Sequence, residues 1–198
     1  MIETTTKWDW LGDPLALDVA NTVRRRGWVD QELWVTGTDV ATWAEFEHDR
    51  LAPVAAREAD DRLGELHQLR DAVLGVLRST AAADPWNVED VDLINQYIRT
   101  HAIVPQLDPG RDGVVHRPLN AITDHTRPSS RVDILLGHMA TAPLAFLEGP
   151  DRQLLALCDA PSCGQLFLRR RSNQHWCCTA CGTRARVARH AQRHTPQT

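Results

Sequence analysis

All five cysteines of this 198-residue chain fall between positions 158 and 181. They read Cys158-Asp-Ala-Pro-Ser-Cys163-Gly and, thirteen residues on, Cys177-Cys178-Thr-Ala-Cys181-Gly. Two closely spaced thiol pairs supply what a tetrahedral zinc ion requires, four soft ligands converging at about 2.3 Å. Pro161 and Gly164 suit a tight turn within the first pair. The second pair sits where a helix begins, and a helix N-terminus favours the thiolate form. Free thiols, a disulfide framework and an iron–sulfur cluster are the competing chemistries. The turn, strand and helix pattern and the basic surroundings favour one structural Zn2+. Cys177 and Cys178 are neighbours whose side chains diverge, so only one of them points at a metal easily. His175 is read as packing or touching phosphate.

The charge is divided as sharply as the cysteines. Twenty-two Lys+Arg against 26 Asp+Glu give a net −4. Residues 158–198 hold seven arginines and one acid, Asp159, for a net +6, which leaves −10 on residues 1–157. Between the cysteine pairs, 165–168 alternates as a strand would. The chain then turns through Arg169, Arg170 and Arg171, and 174–176 reads as the returning strand of a hairpin. A helix follows over 180–194. On it Arg186, Arg189, His190 and Arg193 share one arc of about 100°, opposite a packing face of Ala180, Val187, Ala188 and Ala191. Arg184 falls within that packing face and is expected near the metal. Knuckle, hairpin and helix make a treble-clef finger, and an acid-free basic surface on it is the footprint of a polyanion site.

The elements that must carry this finger are mainly helical. Leu15 to Ala20 reads as a short strand or the first turns of a helix. The run Arg24-Arg25-Arg26-Gly27 reads as a loop. Thr38 is a candidate N-cap. Leu63, Leu66, Leu69, Val73, Leu74 and Leu77 mark the buried stripe of one helix over 54–79. Asn87 with Asp90, and Ser130 with Asp133, read as capping pairs. Residues 103–120 carry turn formers and a candidate hairpin. Pro143 should kink or interrupt the helix that runs to about Glu148. A short helix over 151–157 then leads into the finger. The fold class is α+β and mainly α, divided into 1–150 and 151–198. Trp28, Trp34 and Trp43 are read as core.

Several function classes are set aside at this level. No apolar run approaches the roughly 18 residues of a membrane span. Met1 to Trp10 has no apolar secretory region, so a cytoplasmic protein is expected. The body shows no phosphate loop, G-x-S-x-G or H-E-x-x-H, and four cysteines would close a zinc site, so no enzyme is expected.

From Cys158 to Cys163-Gly, through Phe167 and Trp176-Cys177, to Cys181-Gly182-Thr183-Arg184, the tail resembles a CGNR-type zinc finger. Leu15-Ala-Leu-Asp-Val-Ala-Asn-Thr22, Asp39-Val-Ala-Thr-Trp43 and the final helix of the body resemble the ABATE domain. The resemblance implies a bacterial, stress-linked transcription regulator. It carries the zinc ligands onto Cys158, Cys163, Cys177 and Cys181, leaves Cys178 out, and implies a helical domain sensing an unknown small molecule. Thr183 departs from the Asn of the name-giving motif. Double-stranded DNA is the expected partner, held by Arg169, Arg170, Arg171, Arg186, Arg189, His190 and Arg193. Asn21, Thr22 and Arg24 are the candidate ligand pocket. One finger buries little surface, so specific binding calls for a homodimer or a second contact. An RNA- or protein-binding module is the competing reading.

Overall fold

The computed structural model describes residues 12–26, 29–108, 110, 113–119 and 130–194. Seven helices among them are α1 (Leu15–Ala20), α2 (Gly37–Phe46), α3 (Ala56–Asp61), α4 (Leu63–Ala82), α5 (Val88–Thr100), α6 (Arg131–Glu148) and α7 (Thr179–His194). Six short strands form three antiparallel pairs: β1 (Val23–Arg26) with β2 (Val29–Glu32), β3 (Ile103–Asp108) with β4 (Gly113–Pro118), and β5 (Leu155–Leu157) with β6 (Leu166–Leu168). A 3-10 turn, Pro150–Leu154, joins α6 to β5. None of the described helices is long and apolar enough to cross a membrane.

Helix α4 is the centre of the body. Its Leu66, Leu69, Val73, Leu74 and Leu77 are buried, because residues three and four apart line one face. Helices α1, α5 and α6 pack on it. Trp34 and Trp43 are fully buried and meet edge to face, with ring centres 5.0 Å apart. Trp28 lies outside the described residues.

The ends of the helices follow local chemistry. The Asn87 side chain accepts from the Asp90 N–H at 3.0 Å, and Ser130 accepts from the Asp133 N–H at 3.3 Å. In α2 the cap is Thr36 rather than Thr38, since Asp39 reaches back to the Thr36 N–H and closes a capping box. Three other expectations are corrected. The arginine run 24–26 forms strand β1, with Arg24 opposite Gln31, instead of a loop. The single helix over 54–79 is two, because the chain leaves helical geometry at Arg62, whose guanidinium binds Glu65 and Asp133. Helix α6 continues through Pro143, where the ring removes only the donor for the Met139 carbonyl.

One polar group is set deep in this core. Asp18 on α1 is fully buried, and its carboxylate accepts from Arg50 at 2.6 Å. Arg50 also pairs with buried Glu47. Burial pushes the Asp18 carboxyl up to about 7, and burial likewise raises Glu47. The folded state therefore binds the Asp18 proton more tightly than the unfolded chain does. The stabilisation is complete below about pH 4 and is lost as pH rises through about 7. Asp18→Asn should flatten that part of the profile. Urea unfolding of both proteins at pH 5 and pH 8 checks it, and parallel pH profiles for the two would refute it.

Candidate metal centre and basic groove

The finger is anchored on the body through two short strands. Strands β5 and β6 pair Leu155 with Leu168 and Leu157 with Leu166. Leu155, Leu166 and Leu168 are buried in the core of the body, against α4 and α1. The expected short helix over 151–157 is thus a 3-10 turn followed by a strand. The expected pairing of 165–168 with 174–176 is also corrected. Strand β6 turns back on β5, and 174–176 lies in a loop held by Gln174. Its side-chain oxygen accepts from the Arg170 N–H at 3.1 Å, and its N–H donates to the Arg171 carbonyl at 3.0 Å.

The β5–β6 connection is the metal knuckle. The Cys158 N–H donates to the Gln165 carbonyl at 2.9 Å, and the Cys163 N–H to the Ala160 carbonyl at 3.1 Å. Ser162 and Gly164 take the left-handed conformations, φ +63° and +66°, that fold the chain this tightly. Cys177 comes from the following loop and Cys181 from the first turn of α7.

The four sulfurs of Cys158, Cys163, Cys177 and Cys181 lie within 4.8 Å of one another. Three edges measure 3.7 Å (163–177), 3.5 Å (177–181) and 3.6 Å (163–181). A tetrahedron with metal–sulfur bonds of about 2.3 Å has edges of about 3.8 Å, so the cluster fits Zn2+. Its protonation chemistry agrees. The bond from Cys163 holds the Cys158 thiol down at about 2, while burial pushes Cys181 up to about 12. The Cys158 sulfur raises Cys163 and Cys177 as well. The cluster accommodates one thiolate easily and needs a dication to hold four. Arg184 helps, since its guanidinium donates to the Cys181 sulfur at 2.9 Å although its own side chain is exposed. Cys178 is exposed and outside the cluster. His175 lies 3.4 Å from Asp159 and takes no place among the ligands.

Helix α7 is rotated relative to the expected packing face. Cys181, Gly182 and Ala185 are buried, whereas Val187 is 64% exposed and Ala180 and Ala191 are exposed. Gly182 suits this close approach, because a Cβ would sit 3.1 Å from the Trp176 ring and push it back by a few tenths of an ångström. Trp176 also carries Arg189, whose guanidinium sits 5.7 Å from the ring centre. The Thr183 hydroxyl accepts from Arg186 at 3.1 Å and donates to the Thr179 carbonyl at 3.2 Å. This hydroxyl so ties Arg186 to the first turn of α7. Trp176 and Thr183, both named in the finger motif of the sequence, act as positioning residues, and Gln174 is a third whose role the sequence pattern did not single out.

Arg170, Arg171 and Arg186 line one groove of about 660 Å3, with Thr179 and Gly182 of α7 forming part of its wall. Arg169, Arg189 and His190 are exposed nearby in sequence but do not line it. Arg193 belongs to α7, and its side chain lies outside the described ones. Asp13, from the body, closes one edge of the groove.

Asn21 and Thr22 are placed inside the fold rather than around a cavity. The Asn21 amide donates to the Leu166 carbonyl at 2.9 Å and accepts from the Leu166 N–H at 3.2 Å. Thr22 donates to the Val19 carbonyl at 2.8 Å and accepts from buried Arg70 at 3.1 Å. Their polar atoms tie elements together, Asn21 linking body to finger. Arg24 sits half-buried on β1.

The model of the ABATE family, described as "Putative stress-induced transcription regulator", matches residues 13–150. The model of the CGNR zinc finger matches residues 155–194. No curated protein matches the chain. The helical body and the four-cysteine knuckle built onto it correspond in order and extent to these two matches, and the chain belongs to the ABATE family and carries a CGNR zinc finger.

Proposed function

We propose that the protein is a DNA-binding transcription regulator whose zinc finger grips duplex DNA under the control of a ligand sensed by the body. The families matched are of regulatory and zinc-finger type, and regulatory nucleic-acid binding is the class they support. The observation that carries the DNA reading is the groove in which Arg170, Arg171 and Arg186 converge beside the first turn of α7. Arginine forks match phosphate and guanine edges. The amides of a helix N-terminus add a favourable field for an anion. Arg189, seated on Trp176, gives an ordered neighbouring contact. In this reading the exposed loop 169–171 tracks the backbone, and one or two arginines of α7 reach bases. The acidic body keeps away from the duplex, so the finger sets the orientation. A second copy supplies the second half-site.

Contact with four to six phosphates gives a slope of about −4 to −5 for log K against log salt. Replacing Arg170, Arg171 and Arg186 together by Ala should weaken duplex binding about tenfold or more and make the slope shallower by about 3. Zinc content should stay unchanged, since none of the three touches a cysteine. Fluorescence anisotropy at several salt concentrations, with metal analysis, measures both. Binding that ignores salt, or tighter binding to single-stranded RNA than to duplex DNA, would overturn the reading.

A further inference from the structure

A second cavity, of about 490 Å3, runs along helix α6 and is lined by Pro14 and Leu15, next in the chain to the Asp13 of the arginine groove. His138, Ala142, Ala145 and Gly149 recur at helical spacing and form its floor, and Pro14, Leu15 and Asp151 wall it. The size is that of a small-molecule site. Small side chains at Ala142, Ala145 and Gly149 keep the floor open, and Ala145 among them is exposed.

Among its side chains Asp151 and Thr141 offer acceptors, and neutral His138 offers one acceptor and one N–H. Asp151 is the one charged residue among the described lining. His138 is held neutral by burial and by His116, 5.3 Å away edge to face, with its proton affinity lowered to about 4. Thr141 spends its hydroxyl hydrogen on the Gly137 carbonyl at 2.8 Å and offers only lone pairs. An apolar slot with acceptors and a carboxylate selects an apolar body that carries a protonated amine.

We propose that this slot is the sensing site of the body and takes a small organic ammonium, an alkyl or aromatic amine. The inference rests on the reading of the protein as a ligand-controlled regulator, and it supplies a route for the control. Pro14 walls the slot, and its neighbour Asp13 closes the arginine groove. Asp13 lies in the field of both Arg170 and Asp151. A ligand wedged against Pro14 fixes the Asp13 carboxylate beside Arg170, where it competes with DNA phosphate. The 3-10 turn that starts at Pro150 leads directly into β5 and so into the finger.

The test is calorimetry on the zinc-loaded full chain with hexylammonium, phenethylammonium, hexanol and hexanoate. The two ammonium ions should bind, hexanol about tenfold or more weakly, and hexanoate least. Ala145→Trp should fill the slot and abolish binding, and Asp151→Asn should bring hexylammonium down to the level of hexanol. No binding of either amine, equal binding of amine, alcohol and acid, or amine binding untouched by Ala145→Trp in a folded variant would each overturn the site. Saturating hexylammonium should then weaken duplex DNA binding about fivefold or more, and Asp13→Asn should remove that effect. Amine binding without any change in DNA affinity would overturn the coupling. Amine binding by a protein that does not bind DNA would leave the site standing and remove the regulator reading.

Discussion

Cys163→Ser is expected to leave the chain without zinc and to lower the melting temperature of the whole protein, not of the finger alone. The finger has a very small core of its own: Ala156, Cys158, Ala160, Phe167, Cys181 and Ala185, with Cys163, Trp176 and Cys177 packed against them. Such a core cannot offset the cost of ordering some forty residues, and structural zinc supplies the difference in small metal-bound modules. This finger shares its strands with the body. Leu155, Leu166 and Leu168 belong to the body's core, and the Cys158–Cys163 knuckle is the loop that joins their two strands. Releasing the metal frees the knuckle, unpairs β5 from β6 and takes three leucines from α4. At roughly 2–4 °C per kcal/mol for a chain of this size, a loss of about 4 kcal/mol corresponds to about 10 °C. Calorimetry with metal analysis on Cys163→Ser and on Cys178→Ser decides it. Cys178 is exposed and outside the cluster, so its replacement should retain zinc and the native melt. A body that melts unchanged when zinc is gone would mean that the two parts fold separately.

The same dependence on the metal explains where sequence patterning succeeded and where it stopped. Long helices with many apolar positions were readable, since Leu66, Leu69, Val73 and Leu77 are buried as their spacing implies. The caps Asn87 and Ser130 were readable because they act within three residues of themselves, while at α2 the cap fell on Thr36 instead of the expected Thr38. A four-cysteine metal site was readable because cysteine type and spacing state their own chemistry, while the choice of Cys177 over Cys178 came from the resemblance to the CGNR finger. Helix α7 was not. Counting apolar residues puts Val187 inward, but Cys181 is pulled to the metal cluster, and that one constraint rotates the helix so that Gly182 and Ala185 face in. By sequence, strand β6 is expected to pair with 174–176, and its actual partner, 155–157, reads as part of a helix. A three-residue apolar run carries no mark of which neighbour it pairs with, and the choice was made by the leucines' burial against α4. Groove and slot were invisible for a related reason. Each is assembled from segments far apart in the chain, and Asp13 contributes to the first only because α1 packs against the finger's strand.

Asn21 shows what a buried polar residue does when its ligand turns out to be the protein itself. It is 2% exposed, and its one amide makes both hydrogen bonds that the Leu166 backbone would make to a third strand. Strand β6 is an edge on that side, so Asn21 acts as a single-residue substitute for a strand and closes it. Asn21→Ala leaves a buried N–H and a buried carbonyl without partners. At about 1–3 kcal/mol for each such group, the expected cost is about 2–5 kcal/mol. Asn21→Asp should cost more, because a carboxylate cannot donate to the Leu166 carbonyl and would carry a charge into the core. The two variants separate this role from a ligand-binding one. As a tie, Asn21 must control the stability of the β5–β6 pair, so hydrogen exchange at the Leu166 amide should quicken in Asn21→Ala along with the drop in urea stability. Zinc should also be released more readily to a chelator, since the strands on either side of the knuckle lose their anchor. Unchanged exchange at Leu166 and unchanged zinc release, with stability within about 0.5 kcal/mol of the parent, would mean that the tie carries no load. If all three measurements move together, body and finger communicate through this side chain. Any signal that reaches α1 from the neighbouring slot then has a hydrogen-bonded path to the strand that holds the metal.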